Sequence, residues 1–179
     1  MSSRPVTAWL FGKMPTHGDF VSRGLSPARR VRLDMWLTDE MNQSRARYGE
    51  GFEAVFETAP PWRFANQESD ADWEGGALCA SVDSAGRCFP LIVGRVAIDA
   101  AQATIAANAC ETAIYRAFAD RLSADELWEA AANEPPIANN HKATSGWWTD
   151  GNDNFPARRL TDALPVGLIA TMLEARADG

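Results

Sequence analysis

The sequence predicts a single α+β domain that spans residues 1–179 and has a mainly antiparallel central sheet. Two observations support this fold class: a β-hairpin in the middle of the chain and helical stretches on either side of it. The hairpin joins the β-prone runs 76–82 and 87–98 through four residues that end in Gly86, which is free to take the left-handed conformation. With 179 residues, of which 46% are hydrophobic, the chain is long enough to bury one sizeable core.

The other strands are predicted from short apolar or alternating runs between turn residues. Residues 6–11 form such a run, residues 62–65 alternate, and residues 145–151 are typical of a strand and turn. The polar and acidic residues 66–74 indicate an exposed loop before the hairpin. Because Pro90 has no N–H for a sheet ladder, we expect the second hairpin run to lie at a sheet edge or to contain a bulge.

The helices are predicted from apolar residues at helical spacing and from their capping residues. Ser26 is a good N-cap before a proline, and Ser123 forms a capping box with Glu126. Because Val31 and Met35 widen the apolar surface of the first helix, we expect that helix to be enclosed between the sheet and another element. The predicted helices cover residues 27–48, 51–58, 101–122, 123–132 and 164–176.

Charge argues against one broad class of function. The net charge is −7 and the isoelectric point is about 4.8, whereas general nucleic-acid binding requires an excess of basic residues that releases counterions from phosphates. Residues 1–50 carry a local basic excess, which an exposed helix surface explains better than an acidic or phosphorylated partner does. We therefore expect no nucleic acid among the partners.

The cysteines and the N-terminal residues predict a cytoplasmic protein. The three cysteines, Cys79, Cys88 and Cys110, lack the close spacing that zinc sites and small disulfide frameworks use, so we expect buried thiols. No apolar run approaches the roughly 20 residues of a membrane span, and residues 1–5 lack the features of a signal peptide. We expect no metal site and no direct membrane insertion.

Residues 12–20, which we call the 12–20 loop, are dense in residues with special backbone properties. They place two glycines, Pro15 and a Lys13/Asp19 pair between apolar runs, and Phe20 closes the segment, so we expect a rigid loop of defined shape. It is not a phosphate-binding loop, because a glycine at position 7 and a Ser or Thr at position 14 are missing. The Lys13/Asp19 pair is expected to brace the loop, with a catalytic role as the alternative.

The sequence offers few groups for catalysis. Of its two histidines, His17 and His141, the first could combine with Asp19 and Asp83 in a small hydrolase or phosphatase-like site. A Ser-His-Asp site that uses Ser81 is a further arrangement, but no serine lies in a G-x-S-x-G motif. This enzyme class is the alternative to a binding function.

Two pairs of residues have both a structural and a functional interpretation. Asp83 and Arg87 flank the hairpin turn, which indicates an Asx turn with a cross-strand charge pair or, equally, a functional site. Trp147 and Trp148 are expected to face opposite sides of a strand, since neighbouring side chains of a strand alternate. The alternative for this pair is a stacking platform for a sugar or a base.

Several segments, taken in order, resemble one protein family. The 12–20 loop and its continuation read G-K-x-P-x-x-G-D-F-x-x-R, residues 62–64 read W-R-F, and residues 81–91 read S-V-D-x-x-G-R-x-F-P-L. Together with S-G-W-W-T-x-G at residues 145–151, this set resembles the TagF family, also called ImpM, of type VI secretion-associated proteins. The resemblance extends over most of the chain.

The resemblance implies a cytoplasmic accessory protein that restrains type VI secretion after translation by binding another protein. It implies no enzyme activity and no cofactor, and the expected partner is a secretion-system protein, in related systems a forkhead-associated scaffold; a homodimer is also possible. The family fold is an α/β sandwich similar to profilin or longin domains. The candidates for partner binding or loop bracing are Lys13, Pro15, Gly18, Asp19, Phe20, Arg23, Ser81, Asp83 and Arg87.

Overall fold

The computed structural model describes residues 7–68, 72–135 and 143–176. In these residues one sheet of seven strands has the order β2-β1-β5-β4-β3-β6-β7. Every pair of neighbouring strands is antiparallel, which confirms the predicted kind of sheet. The strands are β1 (Ala8–Gly12), β2 (Val21–Arg23), β3 (Trp62–Gln67), β4 (Trp73–Cys79), β5 (Leu91–Ala97), β6 (Gly146–Thr149) and β7 (Arg158–Leu160).

The helices begin where the sequence places capping residues. The Ser26 hydroxyl accepts the Arg29 N–H at the start of α1, and the predicted capping box of Ser123 and Glu126 is present at the start of α4. None of the described helices is both long and apolar enough to cross a membrane. The helices are α1 (Pro27–Tyr48), α2 (Phe52–Thr58), α3 (Ala100–Asp120), α4 (Ala124–Asn133) and α5 (Leu168–Met172).

Helices cover both faces of the sheet, so the predicted α/β sandwich is confirmed. Alternate residues of each strand face opposite sides: Trp9 joins the core beneath α1, α2 and α5, whereas Leu10 joins the core beneath α3 and α4. We call these two sides the α1 face and the α3 face. Trp147 and Trp148 follow the same rule, since Trp147 is buried on the α1 face and Trp148 on the α3 face.

Small residues let α3 lie close to the sheet. A Cβ atom added to Gly75 on β4 would lie 1.8 Å from the carbonyl oxygen of Ala103 on α3. Ala103 and Ala107 are fully buried against the sheet at this point. The small side chains of the alanine-rich α3 therefore allow the helix to pack this closely against β4.

Two expectations about the strands were wrong, and two strands were not predicted. The predicted loop 66–74 is not simply an exposed loop: residues 66–67 end β3, residues 73–74 begin β4, and residues 69–71 lie outside the described residues. Glu74 is buried where Arg29 donates two hydrogen bonds of 2.8 Å to its carboxylate. The second hairpin run is central rather than at an edge, since β5 lies between β1 and β4 and begins only after Pro90. It has no bulge at Pro90 either, because the pairs Cys79–Leu91 and Val82–Cys88 on the two sides of it keep one register. The short edge strands β2 and β7 were not predicted.

Two helix expectations also need correction. Although α1 packs on the sheet and on α5, Val31 and Met35 are exposed, so its second apolar flank is uncovered. The last helix is shorter than predicted, and Val166, expected on its apolar side, is 84% exposed. The buried Glu40 carboxylate explains where α5 begins, because it accepts the N–H groups of Gly167 and Ile169 at 2.8 and 3.0 Å.

Substitution of Gly75 tests the close approach of α3. We expect Gly75→Ala to lower the free energy of unfolding by about 1–3 kcal/mol, because the added methyl group must displace the helix backbone. Urea denaturation measures the change. The control is Gly51→Ala, where a Cβ atom would meet nothing within 4 Å. An equal loss in both variants would contradict the packing argument.

The thiols provide a second test of the fold. All three cysteines are free and buried, as predicted. Burial raises the pKa of Cys79 well above its usual range and raises the pKa of Cys110 to about 12. We expect no reaction of the folded protein with Ellman's reagent at neutral pH and reaction of all the thiols in denaturant. Rapid reaction of Cys79 or Cys110 in the folded state would contradict the described core.

Candidate functional site

The 12–20 loop and the hairpin turn meet at the buried carboxylate of Asp83. One carboxylate oxygen, Oδ2, lies 3.0 Å from Lys13 Nζ and 2.7 Å from Arg87 Nε. The other oxygen, Oδ1, accepts the backbone N–H groups of Ala85 and Arg87 at 3.0 and 2.9 Å, which is the predicted Asx turn. A single side chain thus holds the turn and binds the loop to it.

Hydrogen bonds to backbone carbonyls join the same two segments. Arg87 Nη2 donates to the Gly18 carbonyl at 2.7 Å, and the Ser84 N–H donates to the His17 carbonyl at 2.8 Å. The hydroxyl of Ser81 donates to the Lys13 carbonyl at 2.8 Å. We call this set of contacts the Asp83 junction.

The Asp83 junction favours the ionised carboxylate. Burial raises the pKa of Asp83, but this effect is outweighed by hydrogen bonds from the Arg87 backbone, the Lys13 and Arg87 side chains and the Ala85 backbone. The pKa of Asp83 therefore lies well below its ordinary value. The negative charge of Asp83 is thus compensated by four donors from the described residues.

The expected pairing of Lys13 with Asp19 was wrong. Lys13 is buried and bonds to Asp83, which lies 70 residues away in sequence. Asp19 is exposed and has no hydrogen-bond or ion-pair partner among the described residues. Lys13 directly follows β1, and its N–H bonds to the Pro90 carbonyl at 3.4 Å just before β5, so it lies beside the hairpin rather than at the tip of its own loop.

Phe20 closes the 12–20 loop as expected but is only half covered. Its ring stacks on Phe11 at 5.8 Å and meets the edge of Phe89 at 4.8 Å, and Lys13 Nζ lies 5.0 Å from its centroid. The side chain nevertheless remains 49% exposed. Phe20 thus anchors the loop and presents one side of an aromatic ring at the surface.

The two glycines of the loop have different reasons to be glycine. Gly12 has a φ of 134°, and a Cβ atom there would lie 2.1 Å from the Pro90 carbonyl oxygen, so only glycine fits. A Cβ atom at Gly18 would make an ordinary 3.5 Å contact with the Ser84 hydroxyl. Gly18 is exposed, and its backbone tolerates a side chain.

The remaining candidates lie beside the Asp83 junction. Arg23 on β2 forms an ion pair of 2.7 Å with Asp125 in the first turn of α4. Pro15 lines an apolar pocket of about 220 Å³ between the loop, α2 and α3, with Phe56 and Phe118 among its other walls. No sequence pattern points to Asp125, because Arg23 and Asp125 are 102 residues apart and no spacing rule connects them.

The groups of the alternative enzyme site are used for other contacts. His17 Nε2 accepts the N–H of Ala124 at 3.0 Å, so the ring binds the N-terminus of α4. The carboxylate of Asp83 is bound by four donors in the Asp83 junction, and Asp19 stands apart at the surface. His141 lies outside the described residues. The structure therefore brings most candidate residues together, but as contacts that hold two loops.

Comparison with known proteins identifies the family. A family model described as TagF N-terminal domain, type VI secretion system-associated, matches residues 9–135. The chain belongs to the TagF family. The match includes both the 12–20 loop and the hairpin turn, so the resemblance drawn from those motifs is confirmed, and this TagF-family chain is a type VI secretion-associated protein.

A solved structure shares the fold of this TagF-family chain. It is PA0076 from Pseudomonas aeruginosa PAO1, with a TM-score of 0.72 and 21% sequence identity over 96% of this chain and 97% of that one. The likeness covers the β6 and β7 region as well as the part matched by the family model. No curated protein sequence matches the chain significantly.

The lowered pKa of Asp83 predicts a pH-dependent stability. Its folded pKa lies below the ordinary value of 3.8, so the unfolded chain takes up this proton first as the pH falls. The stabilisation that the ionised Asp83 contributes is therefore complete above pH 3.8, and it is lost as the pH falls from 3.8 through the pKa of Asp83 in the folded protein. We expect Asp83→Asn to be less stable than the native protein at neutral pH, with the difference narrowing in acid.

Chemical denaturation across this pH range measures both proteins. Asp19→Asn is the control, and its stability should follow that of the native protein, because Asp19 is exposed and unpaired among the described residues. A difference between Asp83→Asn and the native protein that stays constant down to strongly acidic pH would contradict the described junction.

Proposed function

We propose that this TagF-family chain is a cytoplasmic binding module that negatively regulates assembly of the type VI secretion apparatus and has no catalytic role. The observation that carries the proposal is an exposed surface, formed by Gly18, Asp19, Phe20 and Arg87, that is held in one shape by the buried Asp83. We call it the loop surface. Exposed residues on a loop that a rigid core positions are a common basis for recognition.

The rigidity of the loop surface favours binding. Ordering a loop when a partner binds costs conformational entropy, and a loop already fixed by internal contacts avoids most of that cost. Here the carbonyls of Gly18 and His17 are both bonded to the hairpin turn at 2.7 and 2.8 Å. The loop surface is thus pre-organised for a partner before it binds.

The side chains of the loop surface define the chemistry of the partner. Phe20 offers a partly exposed aromatic ring, Asp19 a carboxylate without a partner among the described residues, and Arg87 a cationic side chain that is 61% exposed. A protein partner with an apolar recess and a neighbouring cation would complement them, since aromatic side chains dominate binding energy at interface centres. A forkhead-associated scaffold of the secretion system is the partner that we propose.

The hydrolase alternative has weaker support. A general base needs a free lone pair within reach of substrate, yet the Nε2 atom of His17 accepts the Ala124 N–H and the Asp83 oxygens are bonded to Lys13, Ala85 and Arg87. These contacts would have to break for either group to act on a substrate. The binding function requires no such rearrangement.

Two substitutions test the loop surface and remove none of the side chains that form the Asp83 junction. Asp19→Ala removes an exposed charge, and Gly18→Val adds a bulky side chain at a position where a Cβ atom meets only an ordinary contact. We expect both to weaken capture of the scaffold by at least about tenfold, in line with the loss of a central interface contact. We also expect both to abolish repression of type VI secretion when the variant is overexpressed.

The control is Asp39→Ala, which removes from α1 an exposed acid that has no partner among the described residues. Thermal unfolding should show that all three variants remain folded. If Asp19→Ala and Gly18→Val captured the scaffold and repressed secretion like the native protein, the loop surface would not be the contact.

A further inference from the structure

A second concave site lies on the α3 face, away from the loop surface. The groove has a volume of about 530 Å³, within the range of small-molecule sites. Its walls come from α3 on one side and from β3, β6 and β7 on the other. It is formed because α3 crosses β3, β4 and β5, whereas β6 and β7 extend the sheet beyond the helix.

The strand register explains which side chains form the floor of this groove. Arg63 on β3 pairs with Trp148 on β6, and Trp148 pairs with Arg159 on β7. Residues that lie directly opposite each other on antiparallel strands point to the same face of the sheet. An Arg-Trp-Arg row therefore crosses the three strands on the α3 face.

The α3 wall adds polar side chains at helical spacing. Thr104 and Asn108 are four residues apart and line the groove together. Thr104 is bonded to backbone groups, but the Asn108 amide has no hydrogen-bond partner among the described residues, although the residue is only 9% exposed. The indole N–H of Trp148, a residue that is also 9% exposed, is likewise unpartnered within the described part of the chain. Neither group is among the fully buried polar atoms that lack a partner, so both are open to the groove and free to bond a ligand there.

The charges around the groove leave one guanidinium without an ion pair. Arg63 is bound by Glu111 and by Asp150, the latter at 3.0 Å. Arg158 is bound by Glu174 at 3.0 Å. Arg159 has no carboxylate partner among the described residues, and its one hydrogen bond, to the Ser145 carbonyl, is 3.5 Å long.

We infer that this groove is a binding site for a small organic anion, a phosphate ester or a carboxylate with an oxygen-rich body. Arg159 holds the anionic group, because a guanidinium binds phosphate and carboxylate through two parallel hydrogen bonds. Asn108 and the indole N–H of Trp148, which line the same groove, bond the oxygens of the body. This site is separate from the loop surface and does not depend on the proposed regulatory function.

Isothermal titration of the full chain with defined probes tests the inference. Adenosine monophosphate and glucose 6-phosphate represent phosphate esters, citrate represents carboxylates, inorganic phosphate the anion alone and glucose the neutral body alone. We expect at least one of the three organic anions to bind with a dissociation constant below about 1 mM and more tightly than inorganic phosphate or glucose. The probe that binds then shows whether the ligand is a phosphate ester or a carboxylate.

Three variants locate the binding. We expect Arg159→Gln to weaken binding of that anion by about ten- to a hundredfold, as for loss of a charged hydrogen bond, and Asn108→Ala and Trp148→Phe to weaken it by smaller factors. The control is Arg32→Gln, which removes an exposed arginine from α1 and should leave binding unchanged. Because Arg159 is exposed on an edge strand, its variant folds even where a variant of a buried residue does not.

The inference is overturned if no organic anion binds below this limit. It is also overturned if inorganic phosphate binds as tightly as the esters, which would indicate an adventitious ion site only. Equal binding by Arg159→Gln and the native protein would place any observed site elsewhere. In each case, repression of secretion by the loop surface would still be measurable, so failure of this inference and failure of the proposed function are distinguishable.

Discussion

The buried carboxylate of Asp83 is the interaction on which the shape of the candidate site depends. A charge removed from water is costly unless donors surround it, and here two cations and two backbone N–H groups do so. This requirement explains why Lys13 turns inward and why Arg87 lies where it can reach the Gly18 carbonyl. Two segments separated by 70 residues thereby take one joint conformation.

The sheet provides the second constraint on the same region. β1 and β5 are neighbours, so Gly12 at the end of β1 lies against Pro90 before β5. Only a glycine at φ 134° allows the chain to leave β1 this close to the Pro90 carbonyl. The backbone path thus places Lys13 beside the hairpin, where its side chain bonds to Asp83. His17 extends the connection to α4, so the loop is held by the sheet, the turn and a helix.

Local features of the fold were predictable, and pairings between distant segments were not. The bounds of α1, the capping box of α4 and the hairpin follow from residues that lie close together in sequence. The edge strands β2 and β7 have three residues each, too few for a pattern. Glu74 was assigned to a loop because its burial depends on Arg29, which lies 45 residues away. For the same reason the sequence motifs bring Lys13 and Asp83 to attention as candidates but do not show that the two residues pair with each other.

The edges of the sheet show why the inference of an anion site in the groove on the α3 face needs more evidence than the arginines. Exposed strand edges invite association with other chains, and short, charged edge strands reduce that tendency. Arg158 and Arg159 on β7 serve this purpose without any ligand, so their charge alone would not indicate a site. Protection of an edge does not, however, require the Asn108 amide and the Trp148 indole N–H to line the groove behind it with no hydrogen-bond partner among the described residues. Those two groups distinguish a ligand site from a guarded edge, because they offer uncharged hydrogen bonds beside Arg159 to a ligand that has oxygens as well as an anionic group.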